Sequence, residues 1–249
     1  MTTLVTGAAG TIGRSLAPRL AQAGLSLRLT DVTLIDEVPA GCEARSADLR
    51  DFAQVRAVTE GVAAVVHLGA IASEAPFPDI AEHNIRGSYH VLEAARRHGV
   101  ARVVLASSNH VTGFYPCRHT VGPADPVKPD TFYGVSKATL EALGYLYARK
   151  HGLQVVCLRI GSFRDQPSHP RERATWLSPA DAARLVRAAL HAPLGEKRFL
   201  TTYGMSDNPD AWWTRHGWDT LGYQPRDTPD GDLPPPDLDD LQGGPFVDK

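Results

Sequence analysis

The chain has no excess of either charge, little cysteine, and no long apolar run, and each absence excludes something. Lys and Arg number 26 against 28 Asp and Glu, a net charge of −2. That balance writes no basic surface for nucleic acid or an anionic membrane. Cys42, Cys117 and Cys157 are the only cysteines, and they lie far apart in no paired metal-ligand spacing. No metal is therefore expected, and an isolated cysteine is more often a small buried hydrophobe than a nucleophile. Nowhere do eighteen apolar residues run together, so no membrane partner is expected. Met1 leads straight into Thr3-Leu4-Val5-Thr6 without the basic and then apolar stretches of a signal peptide, and the expected location is cytoplasmic.

What is present is the profile of a globular protein: 249 residues, 43% hydrophobic and 22% charged. These values suit one domain of ordinary size or one with a small appendage. Short apolar runs alternate with longer amphipathic stretches. Strands are expected at Thr3–Thr6, Leu25–Asp31, Ala44–Asp48, Ala63–Leu68, Arg102–Ser107, Gln154–Ile160 and Lys197–Thr202. Helices are expected at Thr11–Ala23, Phe52–Thr59, Pro78–His98, Thr131–His151 and Pro179–His191. This rhythm predicts an α/β fold, a Rossmann-type doubly wound parallel sheet with both faces covered. Ser178-Pro179 supplies a helix cap followed by proline at the first helical position. After about Gly204 the texture changes: Trp212, Trp213 and Trp218 cluster, then Pro, Asp and Gly dominate. That tail reads as a solvated extension along the surface.

Gly7-Ala8-Ala9-Gly10-Thr11-Ile12-Gly13 joins the first strand to the first helix. Glycines there permit a tight turn, close backbone approach to a pyrophosphate, and close helix–strand packing. The phosphates would rest on the amides of the helix amino terminus, with Gly7, Ala9, Gly10, Thr11, Ile12 and Gly13 as the cradle. A glycine-rich turn alone is a weak signal. Asp31, ending the second strand, strengthens it, because a carboxylate there accepts hydrogen bonds from ribose hydroxyls and repels a 2′-phosphate. NAD is thus expected over NADP; the alternative for Asp31 is an ordinary cap or turn residue. Asp48-Leu49 follows the third strand, where an acid could bond the adenine amino group. Leu68-Gly69-Ala70 closes the fourth, where small residues let a cofactor pass near the backbone.

Tyr133 and Lys137 stand four residues apart at the start of a long expected helix, so both side chains share one face. A phenol is a poor base at neutral pH, but a neighbouring ammonium and a positive nicotinamide ring favour its phenolate. Ser108 ends the fifth strand at the same sheet edge and can hold the reacting oxygen while Tyr133 takes its proton. Tyr-x-x-x-Lys by itself is more often an ordinary amphipathic helix. Glycine turn, acid, serine and Tyr-Lys helix in this order make that reading poor.

At these residues the chain resembles the extended short-chain dehydrogenase/reductase superfamily and, within it, the uronate dehydrogenase branch. The resemblance covers nearly the whole chain. It rests on HLGAIASEAPF (His67–Phe77), ASSNHVTGFYP (Ala106–Pro116), YGVSK (Tyr133–Lys137), LRIGS (Leu158–Ser162), the paired Trp212-Trp213, and QGGPFVD from Gln242. It implies NAD-dependent oxidation of D-glucuronate or D-galacturonate to an aldaro-1,5-lactone. It implies that Tyr133 is the base, Lys137 its electrostatic partner and Ser108 the orienting hydroxyl, with Tyr133 and Lys137 also among the cofactor-binding residues. Asn109 and His110 would contact sugar hydroxyls, and Arg171 would clamp the substrate carboxylate. One position departs: the family's substrate-contacting serine falls on Ala72, with Ser73 beside it, which leaves the sugar preference open.

The residues agree on substrate size. After Gly161 about 90 positions remain, too few for a domain that holds a nucleotide-linked sugar. We therefore expect residues 1–160 to form the NAD-binding core and 161–249 a small substrate-binding region whose helix and strand return to the core. Arg164, Arg171 and Arg173 lie in this region, and a guanidinium fork suits a carboxylate; singly, each also reads as a solvated loop residue. The expected partner is a small sugar acid. The alternative is an epimerase or dehydratase acting on a nucleotide sugar. A homo-oligomer paired through the helices Pro78–His98 and Thr131–His151 is expected from the superfamily resemblance.

Overall fold

The computed structural model describes residues 1–229 and 233–246. Its strands are β1 (Thr2–Thr6), β2 (Ser26–Asp31), β3 (Glu43–Ser46), β4 (Ala64–His67), β5 (Arg102–Ser108), β6 (Gln154–Ile160), β7 (Ser162–Phe163), β8 (Trp176–Leu177) and β9 (Phe199–Gly204). Its helices are α1 (Thr11–Gln22), α2 (Phe52–Thr59), α3 (Phe77–Ile80), α4 (Gly87–Arg97), α5 (Phe132–His151), α6 (Glu172–Thr175), α7 (Pro179–His191) and α8 (Trp218–Leu221). Seven strands form one parallel sheet in the order β3-β2-β1-β4-β5-β6-β9, and β7 pairs with β8 separately.

The central strands are buried on both faces, as their Val and Leu runs predict. On β5, Val103 and Leu105 pack under α4 and α5 with Val91, Leu92 and Leu140. The intervening Val104 faces the opposite layer with Leu16, Leu20, Leu185 and Val186 of α1 and α7. Strand order reverses between β1 and β4, and such a switch point opens a crevice at the carboxyl edge of the sheet. Ser178 caps α7 as expected, its hydroxyl accepting from Asp181 N at 2.9 Å.

Four expectations need correction. The third strand, expected as Ala44–Asp48, is Glu43–Ser46 and largely exposed, because it is the sheet edge and is held by its register on β2 rather than by buried side chains. The last strand begins at Phe199, not Lys197, because Gly195–Lys197 forms a turn and Arg198 sits at φ 54. The single helix expected at Pro78–His98 is α3 and α4 joined by a π-helical turn, Ala81–Arg86. That wider turn carries Asn84, which clasps the backbone of Ile71 (2.8 and 3.0 Å) and donates to Ser136 Oγ (3.0 Å).

The carboxyl-terminal segment is the fourth. Trp212 and Trp213 are buried, and Trp213 stacks on Tyr203 with ring centres 4.8 Å apart. From Leu238 to Gly243 the chain runs beside residues 113–118, with Arg118 N donating to Leu238 O, Cys117 N to Asp240 O and Gln242 N to Tyr115 O. Backbone hydrogen bonds hold this strap, which its Pro, Asp and Gly content disguised. Of the QGGPFVD motif, Val247 and Asp248 lie outside the described residues.

Candidate active site

The first glycine turn is built for close approach. Gly7 adopts φ +68, and a Cβ there would lie 2.6 Å from Gly69 N. A Cβ on Gly13 would fall 2.4 Å from Gly7 O. Helix α1 starts at Gly10 with no side chain capping it, which leaves its first amides for an anion. The turn from Gly7 to Gly13, Asp31, Asp48-Leu49 and Leu68-Gly69-Ala70 all line one cleft of about 430 Å³. Asp31 accepts from Ala9 N and Thr33 N, both at 3.0 Å, one on each carboxylate oxygen. Each oxygen retains a lone pair for a ribose hydroxyl. The Asp48 carboxylate is engaged by Arg50 at 2.7–3.0 Å, and this hydrogen bonding holds it below the usual carboxylate range. Arg50 and His83 line the same cleft and carried no motif that marked them in the sequence.

The catalytic group assembles where β5 and α5 meet. Thr131 caps α5, accepting from Gly134 N at 2.9 Å, so Tyr133 lies in the first turn. Gly134 brings that turn against the end of β5: a Cβ there would fall 2.4 Å from His110 O. Tyr133 is hydrogen-bonded to Ser108, whose Oγ accepts from His110 N at 3.2 Å. One turn further, Lys137 is buried, donates to Ala106 O at 2.7 Å and lies 5.4 Å from the Tyr133 ring centre. Burial pushes the Tyr133 phenol up to about 12, with the Ser108 hydrogen bond pulling the other way. Burial also lowers Lys137 to about 8.

A buried histidine lies within electrostatic reach of Lys137. His67 Nδ1 is 2.7 Å from Thr6 Oγ1 and its Nε2 is 3.0 Å from Ser88 Oγ. Burial, and then the nearby Lys137 charge, bring His67 down to about 3, so it is neutral at physiological pH. Behind Ser108, Glu141 pairs with fully buried Arg159 at 2.8 Å and accepts from Ser107 Oγ. No spacing in the sequence announced this pair, because its members come from α5 and β6.

Around Ser108 stand the groups expected to hold a sugar acid. His110 Nδ1 is 2.8 Å from the buried Asp130 carboxylate, and its ring meets Tyr133 edge-to-face at 5.8 Å. Asp130 went unnoticed in the sequence, although it sits three residues before Tyr133. With its amide turned to satisfy both neighbours, Asn109 donates to Ile160 O at 3.1 Å and accepts from Arg171 Nη2 at 2.9 Å. Arg164 and Arg173 instead pair with Glu172 and Asp210. Both Ala72 and Ser73 are exposed, and of the two Ala72 lines the cleft.

Residues 3–193 match the model of the NAD dependent epimerase/dehydratase family. The uronate dehydrogenase of Agrobacterium fabrum (strain C58) is 40% identical, over 99% of this chain and 96% of its own length. That of Pseudomonas syringae pv. tomato is 39% identical, over 98% and 92%. A crystal structure of Agrobacterium tumefaciens uronate dehydrogenase, a tyrosine-to-alanine variant complexed with NAD, superposes with a TM-score of 0.92 at 40% identity, covering 100% of this chain and 97% of that one. The glycine turn at the switch point, the Ser-Tyr-Lys group beside it and these likenesses agree, and the chain belongs to the NAD dependent epimerase/dehydratase family, where it stands beside the uronate dehydrogenases.

Proposed function

We propose that this protein oxidises a hexuronic acid, D-glucuronate or D-galacturonate, at its anomeric carbon to an aldaro-1,5-lactone, with NAD as acceptor. One observation carries the reading: the Arg171 guanidinium lies 2.9 Å from the side-chain amide of Asn109, the residue next to Ser108. A carboxylate-binding group therefore borders the Ser108–Tyr133–Lys137 group. The named activity of relatives at 39–40% identity supports it.

NAD fits the cleft, since the uncapped α1 amides suit a pyrophosphate and Asp31 suits the ribose diol; when bound, it accepts the hydride released from the anomeric carbon. The remaining chemistry belongs to the chain. Arg171 holds the carboxylate of the pyranose, while Asn109 and His110 take ring hydroxyls. Ser108 holds the anomeric oxygen. Tyr133, as phenolate, removes the anomeric proton, and the buried Lys137 ammonium stabilises that phenolate. One proton on Tyr133 and one hydride on the cofactor balance the two-electron oxidation. In this scheme residues 1–160 hold NAD, and residues 161–249 close the carboxylate end of the sugar site through Arg171. Ala72 offers no hydroxyl at the position of the family's serine, and Ser73 beside it does not line the cleft.

The test is NADH absorbance after mixing the protein with NAD and, separately, glucuronate, galacturonate and the corresponding neutral sugars. Rapid NADH with the uronates alone is the expected result. Protein that binds NAD and leaves the uronates untouched would overturn the reading in favour of a nucleotide-sugar substrate, where no net NADH accumulates.

The same proposal extends to assembly and location. Tyr89 on α4 and Tyr145 and Leu146 on α5 are large, exposed and apolar, which suits pairing with a second copy. Cys42, Cys117 and Cys157 are free thiols, which suits the reducing cytoplasm.

A further inference from the structure

Arg171 does not hold itself in place. Its Nε donates to the backbone oxygen of Gln242 at 2.8 Å, and its Nη2 donates to the same oxygen. Nη1 reaches Ser162 Oγ at 3.3 Å, and Nη2 reaches Asn109. The guanidinium plane is thus fixed on one side by the carboxyl-terminal strap and on the other by Ser162 and by the turn that follows Ser108. Of the five N–H groups of a guanidinium these contacts occupy four, so the direction of the one on Nη1 that remains for a ligand follows from the anchors of the others.

Gln242 is unusually well tied for a residue in a Pro-, Asp- and Gly-rich segment. It has no exposed surface. Its N–H donates to Tyr115 O at 2.8 Å. Its side-chain nitrogen donates to His119 O at 2.8 Å and Pro116 O at 3.2 Å, and its side-chain oxygen accepts from Trp213 Nε1 at 2.8 Å. Every polar group of this residue has a partner, and no carbonyl in a mobile tail would be held so firmly. Independently, Gly244 is fitted to the same arginine: it adopts φ +65, and a Cβ there would meet Arg171 Cδ at 2.8 Å and Nε at 3.0 Å.

We propose that Gln242 is a positioning residue that sets the enzyme's preference for carboxylate-bearing sugars by aiming the Arg171 guanidinium. The side-chain amide locks the backbone, and the backbone oxygen orients the fork. This rests on the reading of Arg171 as the substrate clamp, and the experiment separates the two. Wild type, Gln242→Ala, Arg171→Ala and the double variant are compared in the NADH assay with glucuronate and with glucose, with NAD affinity measured by calorimetry.

Gln242→Ala is expected to keep wild-type NAD affinity, to raise the KM for glucuronate about tenfold with kcat far less affected, and to lower the preference for glucuronate over glucose by a similar factor. In the Arg171→Ala background the same change is expected to add little, because its route to the substrate is already gone. An unchanged KM in Gln242→Ala, or a full additional loss in the double variant, would overturn the proposal. If Gln242→Ala fails to fold, Gly244→Ala presses on Arg171 while leaving the Gln242 amide bonds alone, and it must reproduce the KM effect. A wild-type protein inert toward glucuronate would sink the clamp itself, whereas an active wild type with an indifferent Gln242→Ala sinks only the positioning role.

Discussion

Tyr133 and Lys137 are perturbed in opposite directions, both toward neutrality, because the site around them is dry. A phenol pushed up to about 12 is no base near neutral pH unless positive charge approaches it. In the proposed scheme Lys137, brought down to about 8, supplies that charge while protonated, and an oxidised nicotinamide ring would add to it. Removing the phenol should therefore abolish proton removal while leaving intact the glycine turn and Asp31, which line the cofactor cleft. Tyr133→Phe is expected to lose about 10²–10⁴ of kcat in the NADH assay while calorimetry shows unchanged NAD affinity. Ser108, Tyr133 and Lys137 were legible in the sequence because their chemistry is written at short range: a helical spacing and a strand end. Asp130 and Gln242 were not. Asp130 acts through a histidine twenty positions away, and Gln242 reaches Arg171 across 71 positions, distances over which no local pattern exists.

At the scale of elements, α5 is the part that converts spacing into geometry. It presents Tyr133 and Lys137 on one face, and its distance from β5 is set by Gly134, where a methyl group would collide with His110 O. Gly134→Ala is expected to push the first turn away from Ser108 and to cut kcat by about tenfold or more, since near-attack geometry is lost within an ångström. Thermal melting should fall as well, because the collision is with backbone and outweighs the helix preference of alanine. A kcat equal to wild type in this variant would show that the contact relaxes without moving Tyr133. Strand and helix alternation was legible wherever burial imposed it, as on β5 and β6. It failed for β3, an exposed edge held by register, and for the π turn at Asn84, whose cause is a clasp on Ile71.

At the scale of the whole molecule, His67 joins three parts of the fold: β4, on which it sits, β1 through Thr6 and α4 through Ser88. Its value of about 3 lies below the 6.5 of an exposed histidine, so between those pH values the unfolded chain binds a proton that the native one does not. Folding is thus penalised as pH falls from 6.5 toward 3. Urea denaturation at pH 7 and pH 4.5 should show about 2–3 kcal/mol of lost stability from this group, a loss absent in His67→Asn. Equal acid sensitivity in both proteins would mean that His67 is not the group responsible. The sequence offered His67 only as the first letter of a motif; its partners depend on β1, β4 and α4 coming together.

The route of the strap has a consequence for how the protein is made. Translation completes the cofactor cleft, from the glycine turn to His83, long before Gln242 leaves the ribosome. A nascent chain with its sheet formed can therefore hold the dinucleotide before Arg171 has the carbonyl that aims it. On the proposed roles of Arg171 and Gln242, cofactor recognition is inherited early in synthesis, and substrate discrimination is acquired among the last contacts to form.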